Sequence, residues 1–302
     1  MKHDLRIIGV LVTFYLIAQV VGLGLVYTDA KVEQTVGQNG QTITEVTHPE
    51  TVLGPRPEVY NFDALVMVLI SVLVGTGLVL LIVKFNRVVV WKGFFFFAVL
   101  SSITIAVGVF ASWYVTLAAG AVLSFLKVWK KNVVVQNFTE ILIYAGIALL
   151  FAPLFEPAWV ILLLLAISGY DMFAVWKSKH MVKMAEFQIK SDAFAGLSFS
   201  YKRKGSQEPK DKKHATVEGR SQAILGGGDV AFPLIFAASV MESLFRMGIL
   251  GPQAFFGALI IPIVTAAALL GLLVYGKRGR YYPAMPFMTA GCLFGYAVIL
   301  AI

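Results

Sequence analysis

The sequence predicts an all-α polytopic membrane protein of nine transmembrane helices, N-terminus cytoplasmic and C-terminus extracytoplasmic. Three observations carry this. Of 302 residues, 58% are hydrophobic and only 14% charged, and the mean hydropathy is +0.80, too apolar for a soluble domain with one core. Apolar runs of roughly 20 residues, enough to cross a hydrocarbon layer of about 30 Å, recur along the chain. The lysines and arginines fall on alternate edges of those runs.

The runs lie near 7–27, 64–83, 94–111, 133–153, 158–176, 223–247, 254–275 and 281–302. A shorter one at 113–126 must also cross for the later alternation to hold. The first follows Lys2 and Arg6 but is longer than the apolar part of a signal peptide, so a retained helix is expected. With the N-terminus inside, all of the 25 Lys and Arg residues except Lys31, Arg56 and Arg246 fall on the cytoplasmic side, which sets the orientation. The same distribution explains the net charge of +8 through anionic lipid headgroups, with no nucleic-acid partner implied.

The chain divides at its basic loop. Residues 1–176 hold six spans and an outer loop at 28–63, in which the Asn39-Gly40 turn is flanked by alternating Val, Thr and Ile, a hairpin pattern that reads as a cap over the helices. Residues 177–220 form the basic cytoplasmic loop, expected to be mobile, with Ala193–Phe199 dipping into the membrane interface. Residues 221–302 hold the last three spans, with a kink expected at Pro262.

Composition removes most chemistries. His3, His48, His180 and His214 all fall in loops or tails, so no helical zinc-protease motif and no histidine base is available at depth. Cys292 is the only cysteine, which excludes disulfides and cysteine-rich metal clusters. No phosphate-cradling loop is present, and neither cofactor nor metal is expected. The sequon Asn137-Phe138-Thr139 begins a span on the cytoplasmic side and should carry no glycan.

What remains is acidic. Asp171 and Asp229 lie inside spans, where a carboxylate is costly and therefore a functional candidate. Asp171 precedes the cytoplasmic end of the sixth span at Lys177 by six residues, about 9 Å. Asp229 follows the start of the seventh, placed near Ala223, by a similar number, so the two sit at matched depth. Such a pair shares a proton, with one carboxyl acting as base toward water and the other donating to a carbonyl. The acids alone fit a cation path equally well. Gly226, Gly227 and Gly228 before Asp229 and Pro233 after it loosen that helix on both sides. Glu242 with Arg246 reads as an interfacial pair, and Glu140 and Glu156 as residues near helix ends.

Tyr170-Asp171, Gly226-Gly227-Gly228-Asp229 and Pro283-Ala284-Met285-Pro286 resemble, in order, the YD, GxGD and PAL motifs of presenilin-type intramembrane aspartyl proteases. The likeness covers nearly the whole chain, and its compact loops look most like the single-subunit archaeal members. One departure is Met285 in place of the family's leucine. The resemblance implies cleavage of substrate transmembrane helices near the cytoplasmic face, with Asp171 and Asp229 catalytic. Tyr170, Gly226, Gly227, Gly228, Pro283, Ala284 and Met285 would support the site or bind substrate. It implies single-span protein substrates and a place in the cell membrane among its lipids, with no obligate protein partner and oligomerisation left open. Two alternatives stand beside it: a signal peptide peptidase-like enzyme of opposite orientation, against which the charge distribution argues, and a cation or proton transporter using the same acids.

Overall fold

The structure, a computed structural model, describes residues 5–36, 42–130, 132–178, 180–202, 220–276 and 282–301. In lipid every backbone N–H and C=O must be paired within the segment, so each long apolar run becomes a helix. These are α1 (Leu5–Asp29), α2 (Asn61–Lys84), α3 (Val88–Gly108), α4 (Trp113–Trp129), α5 (Val133–Phe151), α6 (Pro157–Met172), α7 (His180–Lys190), α8 (Gly227–Arg246), α9 (Pro252–Ala258), α10 (Ile260–Tyr275) and α11 (Met285–Ala301). Among the described residues seven helical segments are long and apolar enough to cross a membrane; α4 and α11 are shorter apolar helices. The segment Pro252–Tyr275 counts as one of the seven although it breaks at Leu259. Pro262 cannot donate to a carbonyl one turn back, which accounts for the break.

Local signals set the ends. The Asn132 side chain accepts from the amides of Val134 and Val135, capping α5. Pro157 opens α6 as its first residue, where its missing N–H costs nothing.

The bundle is centred on α8, of whose most apolar stretch 72% is buried, against 11% for α2 at the periphery. Helices α1, α5, α6, α10 and α11 pack around α8, and α3 and α4 flank α5. Small residues permit the close crossings: a Cβ at Gly146 of α5 would lie 2.0 Å from the Ser102 carbonyl oxygen of α3.

The fold is helical but not purely so. Strands β1 (Lys31–Val36) and β2 (Thr42–Thr47) pair antiparallel from Lys31↔Thr47 to Val36↔Thr42. The Asn39-Gly40 turn that would join them lies outside the described residues. Strands β3 (Gly196–Lys202) and β4 (Arg220–Gly226) form a second antiparallel pair within the basic loop, which also carries α7. Residues 203–219, where most of the expected mobility falls, lie outside the described residues.

Two expectations change here. Ala193–Phe199 is not a free segment of the loop: Ala193, Leu197 and Ser198 are buried against the protein. The reason is backbone pairing. Asn137 of the sequon donates to the Ser198 carbonyl at 3.0 Å and accepts from its amide at 2.9 Å, while Gln136 donates to the carbonyls of Phe194 and Gly196. The seventh span also begins at Gly227 rather than near Ala223, because residues 220–226 are taken up in β4 and glycine disfavours helix.

On the other side of the bundle, the end of β2 is tied down by charge. His48 Nδ1 lies 2.9 Å from Asp29 at the end of α1, and Nε2 lies 3.3 Å from Glu242 of α8. Arg56 contacts Asp29 at 2.6 Å and Arg246 contacts Glu242 at 3.7 Å. Glu242 is therefore a buried acid that keeps the expected pairing with Arg246 at the end of α8. Burial by itself would lower the His48 pKa, but Asp29 and Glu242 outweigh it and push it up from 6.5 to about 9. A folded pKa above the unfolded one gives stability that is fully present below about pH 6.5 and lost as the pH rises through about 9. Thermal unfolding in detergent should show His48→Gln losing on the order of 1–3 kcal/mol at pH 6 and much of the parent's pH dependence between 6.5 and 9.

Candidate active site

Asp171 and Asp229 reach one site from opposite directions along the bundle. Asp171 lies one residue before the end of α6, and the chain continues as a π-turn over Phe173–Lys177, a wider coil that often marks functional positions. Asp229 is the third residue of α8, after Gly226, an extended N-cap. Asp229 sits two residues into its helix, not the six counted from a start near Ala223.

Each carboxylate is held at a helix N-terminus. Asp171 Oδ2 accepts from the Met285 amide at 3.2 Å, and the Ala284 amide also faces it, so the start of α11 points its free N–H groups at Asp171. The Asp229 carboxylate folds back over the start of its own helix: a Cβ on Gly226 would lie 3.0 Å from Oδ2. Both carboxylates line the same cavity. Two helix starts aim partial positive charge at it, an arrangement that supports one negative charge on the pair.

Asp171, Asp229, Tyr170, Gly226, Gly227, Gly228 and Met285 line a single cavity of about 650 Å³, within the range of about 300–1,000 Å³ that encloses ligands. Its remaining walls are largely apolar, with Val72 from α2, Ile147 from α5, Met184 from α7 and Phe232 from α8. Pro283 is buried and Ala284 half-buried, outside the cavity lining but directly before Met285. The motif at 283–285 therefore acts on Asp171 through main chain, and the side chain of residue 285 supplies packing. The Ser168 and Thr289 hydroxyls, 2.7 Å apart, fasten α6 to α11 near the same contact. The Tyr170 hydroxyl donates to Thr76 of α2 and meets His180 Nε2 of α7, both at 3.0 Å. Burial holds the His180 imidazole below its ordinary pKa.

Several residues here escaped the sequence reading. His180, which the sequence puts in the basic loop, opens α7 and touches Tyr170. Glu140, which the sequence places near a helix end, is fully buried in the cavity wall and paired with Lys127 of α4 at 2.6 Å. The available signal was spacing: Gln136, Glu140 and Tyr144 stand four apart, one polar stripe on an otherwise apolar helix. No group of three or more potential metal ligands occurs among the described residues.

Residues 12–302 match the family described as signal-peptide peptidase, presenilin aspartyl protease. The chain belongs to that family. It is accordingly an aspartyl endopeptidase of the membrane, a hydrolase. Its fold is similar to that of a presenilin family intramembrane aspartate protease solved in two crystal forms. In the C222 form the TM-score is 0.59 at 18% identity, covering 97% of this chain and 98% of the other. In the P2 form the TM-score is 0.57 at 19% identity, covering 96% of each. No curated protein matches.

Two substitutions separate geometry from chemistry in this aspartyl protease. Gly226→Ala should displace the Asp229 carboxylate and lower cleavage of a single-span test substrate by about tenfold or more while unfolding is little changed. Met285→Leu should keep near-parental cleavage, since it conserves volume and leaves the amide on Asp171 in place.

Proposed function

We propose that Asp171 and Asp229 are the catalytic dyad and that the enzyme hydrolyses peptide bonds within substrate transmembrane helices near their cytoplasmic ends. The observation that carries this is the convergence of both carboxylates on one apolar cavity inside a bundle of membrane-spanning helices. In this reading α4 and α11 also cross, giving nine spans with the N-terminus inside, as the distribution of lysine and arginine favours. The enzyme works in the cell membrane as a single chain.

The chemistry follows from the shared proton. One aspartate takes a proton from water, whose oxygen attacks the scissile carbonyl carbon. The other donates its proton to the carbonyl oxygen, giving a tetrahedral diol. On collapse the C–N bond breaks, the aspartic acid that took the water proton gives it to the leaving nitrogen, and a diol hydroxyl returns its proton to the other aspartate, which restores the pair. The protein supplies every group this needs, without metal or cofactor.

A substrate helix shields its own carbonyls, so it must unwind where it is cut. The poorly buried α2 borders the cavity and is the side from which a single-span protein would enter. The unwound stretch needs hydrogen-bond partners in lipid, and the extended residues before α8 are placed to offer them.

Purified protein in detergent should cleave a single-span test substrate, with Asp171→Ala and Asp229→Ala each lowering the rate on the order of 10³-fold or more while remaining folded. Product from either variant at the parent's rate would remove the dyad assignment. Substitutions that stabilise the substrate helix around the cut should slow cleavage, and an unchanged rate would remove the unwinding step.

A further inference from the structure

Beside the dyad, the cavity wall contains two buried polar atoms that the proposed hydrolysis does not use. Glu140 Oε1 is committed: it accepts from Lys127 Nζ at 2.6 Å and from Gln136 Nε2 at 3.1 Å. Glu140 Oε2 and the Tyr144 hydroxyl make no well-aligned hydrogen bond among the described residues, although the Glu140 carboxylate and the phenol are near neighbours. Both residues line the cavity, and they are 0% and 1% exposed. An unpaired buried polar group costs about 1–3 kcal/mol, so two at one place call for a ligand.

Their position is informative. One helical turn apart on α5, the carboxylate and the phenol lie on the same face. The Tyr144 hydroxyl also borders the glycine motif: a Cβ at Gly227 would lie 3.5 Å from it. Lys127 offsets the Glu140 charge, so the site is neutral overall and presents one acceptor and one donor. It is not built to select a charged side chain.

We infer that Glu140 and Tyr144 form a main-chain subsite for the unwound substrate, Glu140 Oε2 accepting the N–H of one substrate residue and the Tyr144 hydroxyl donating to its C=O. In an extended chain the N–H and C=O of one residue point to the same edge, which matches an acceptor beside a donor. In a cavity without bulk water, a strand drawn from a helix has lost its own pairing and must regain it from the walls. A neutral donor–acceptor pair does so regardless of side chain, which suits an enzyme that reads backbone near its cut site. The inference rests on the proposed dyad reading.

Tyr144→Phe is the discriminating variant, because it removes only an unpaired hydroxyl. The variant should unfold at the same temperature as the parent or higher, yet lose about tenfold in kcat/KM. A purely structural tyrosine would not give that combination. The test uses single-span substrates carrying one backbone ester at successive positions around the cut, since an ester weakens the preceding carbonyl as an acceptor. At one position the ester should slow the parent about tenfold and leave Tyr144→Phe unaffected. Additive effects at every position, or parental kcat/KM in Tyr144→Phe, would overturn the subsite and assign these atoms to a buried water only. A parent with no cleavage on any substrate, esters included, would overturn the dyad reading and the subsite with it. Glu140→Gln provides the second arm if it folds beside the buried lysine: an ester that removes the N–H of the same residue should lose its effect there.

Discussion

The bond from the Met285 amide to Asp171 is the contact on which the site depends. A carboxylate inside a helical bundle needs partners that remain fixed, and a backbone N–H at a helix start is one that no rotamer change can withdraw. Using it requires α11 to begin at the level of Asp171. That in turn requires the close packing of α11 against α10, where a Cβ at Gly291 or Gly295 would lie 2.9 Å from the facing Cα. The hydroxyl pair of Ser168 and Thr289 holds the register between α6 and α11. The chemistry at one carboxylate is thus set by three helices, and the residue at 285 matters more for where its nitrogen sits than for its side chain.

Asp229 is governed by the complementary constraint, the place where its helix starts. Because residues 220–226 pair with β3, α8 cannot begin before Gly227, and the acid falls in the first turn. The strand is in turn held by α5, through the Asn137 clamp on Ser198 and the Gln136 contacts to Phe194 and Gly196. One polar stripe on α5 therefore positions the hairpin before Asp229 and carries Glu140 and Tyr144 into the cavity.

The opposite end of the bundle shows charge used for attachment. His48, Asp29, Arg56, Glu242 and Arg246 bind the outer hairpin to the ends of α1 and α8. The attachment works because both acids are largely shielded from water, where a charged partner is worth more than on the surface.

By itself the sequence determined the membrane class and the helical character of its apolar runs and marked two aspartates as candidates, because lipid forces long apolar segments into helices and makes a carboxylate among them conspicuous. The ordered motifs around Asp171, Asp229 and Met285 indicated the protease family. Only the tertiary structure decided that Leu197 and Ser198 are buried beside Asn137, that α8 begins at Gly227, that Glu140 lines the cavity, and that His180 meets the Tyr170 hydroxyl. These depend on pairing between distant segments, which a local pattern does not record. A buried ion pair such as Lys127 with Glu140 reads in sequence as two residues near helix ends, and becomes one neutral group only when α4 and α5 meet.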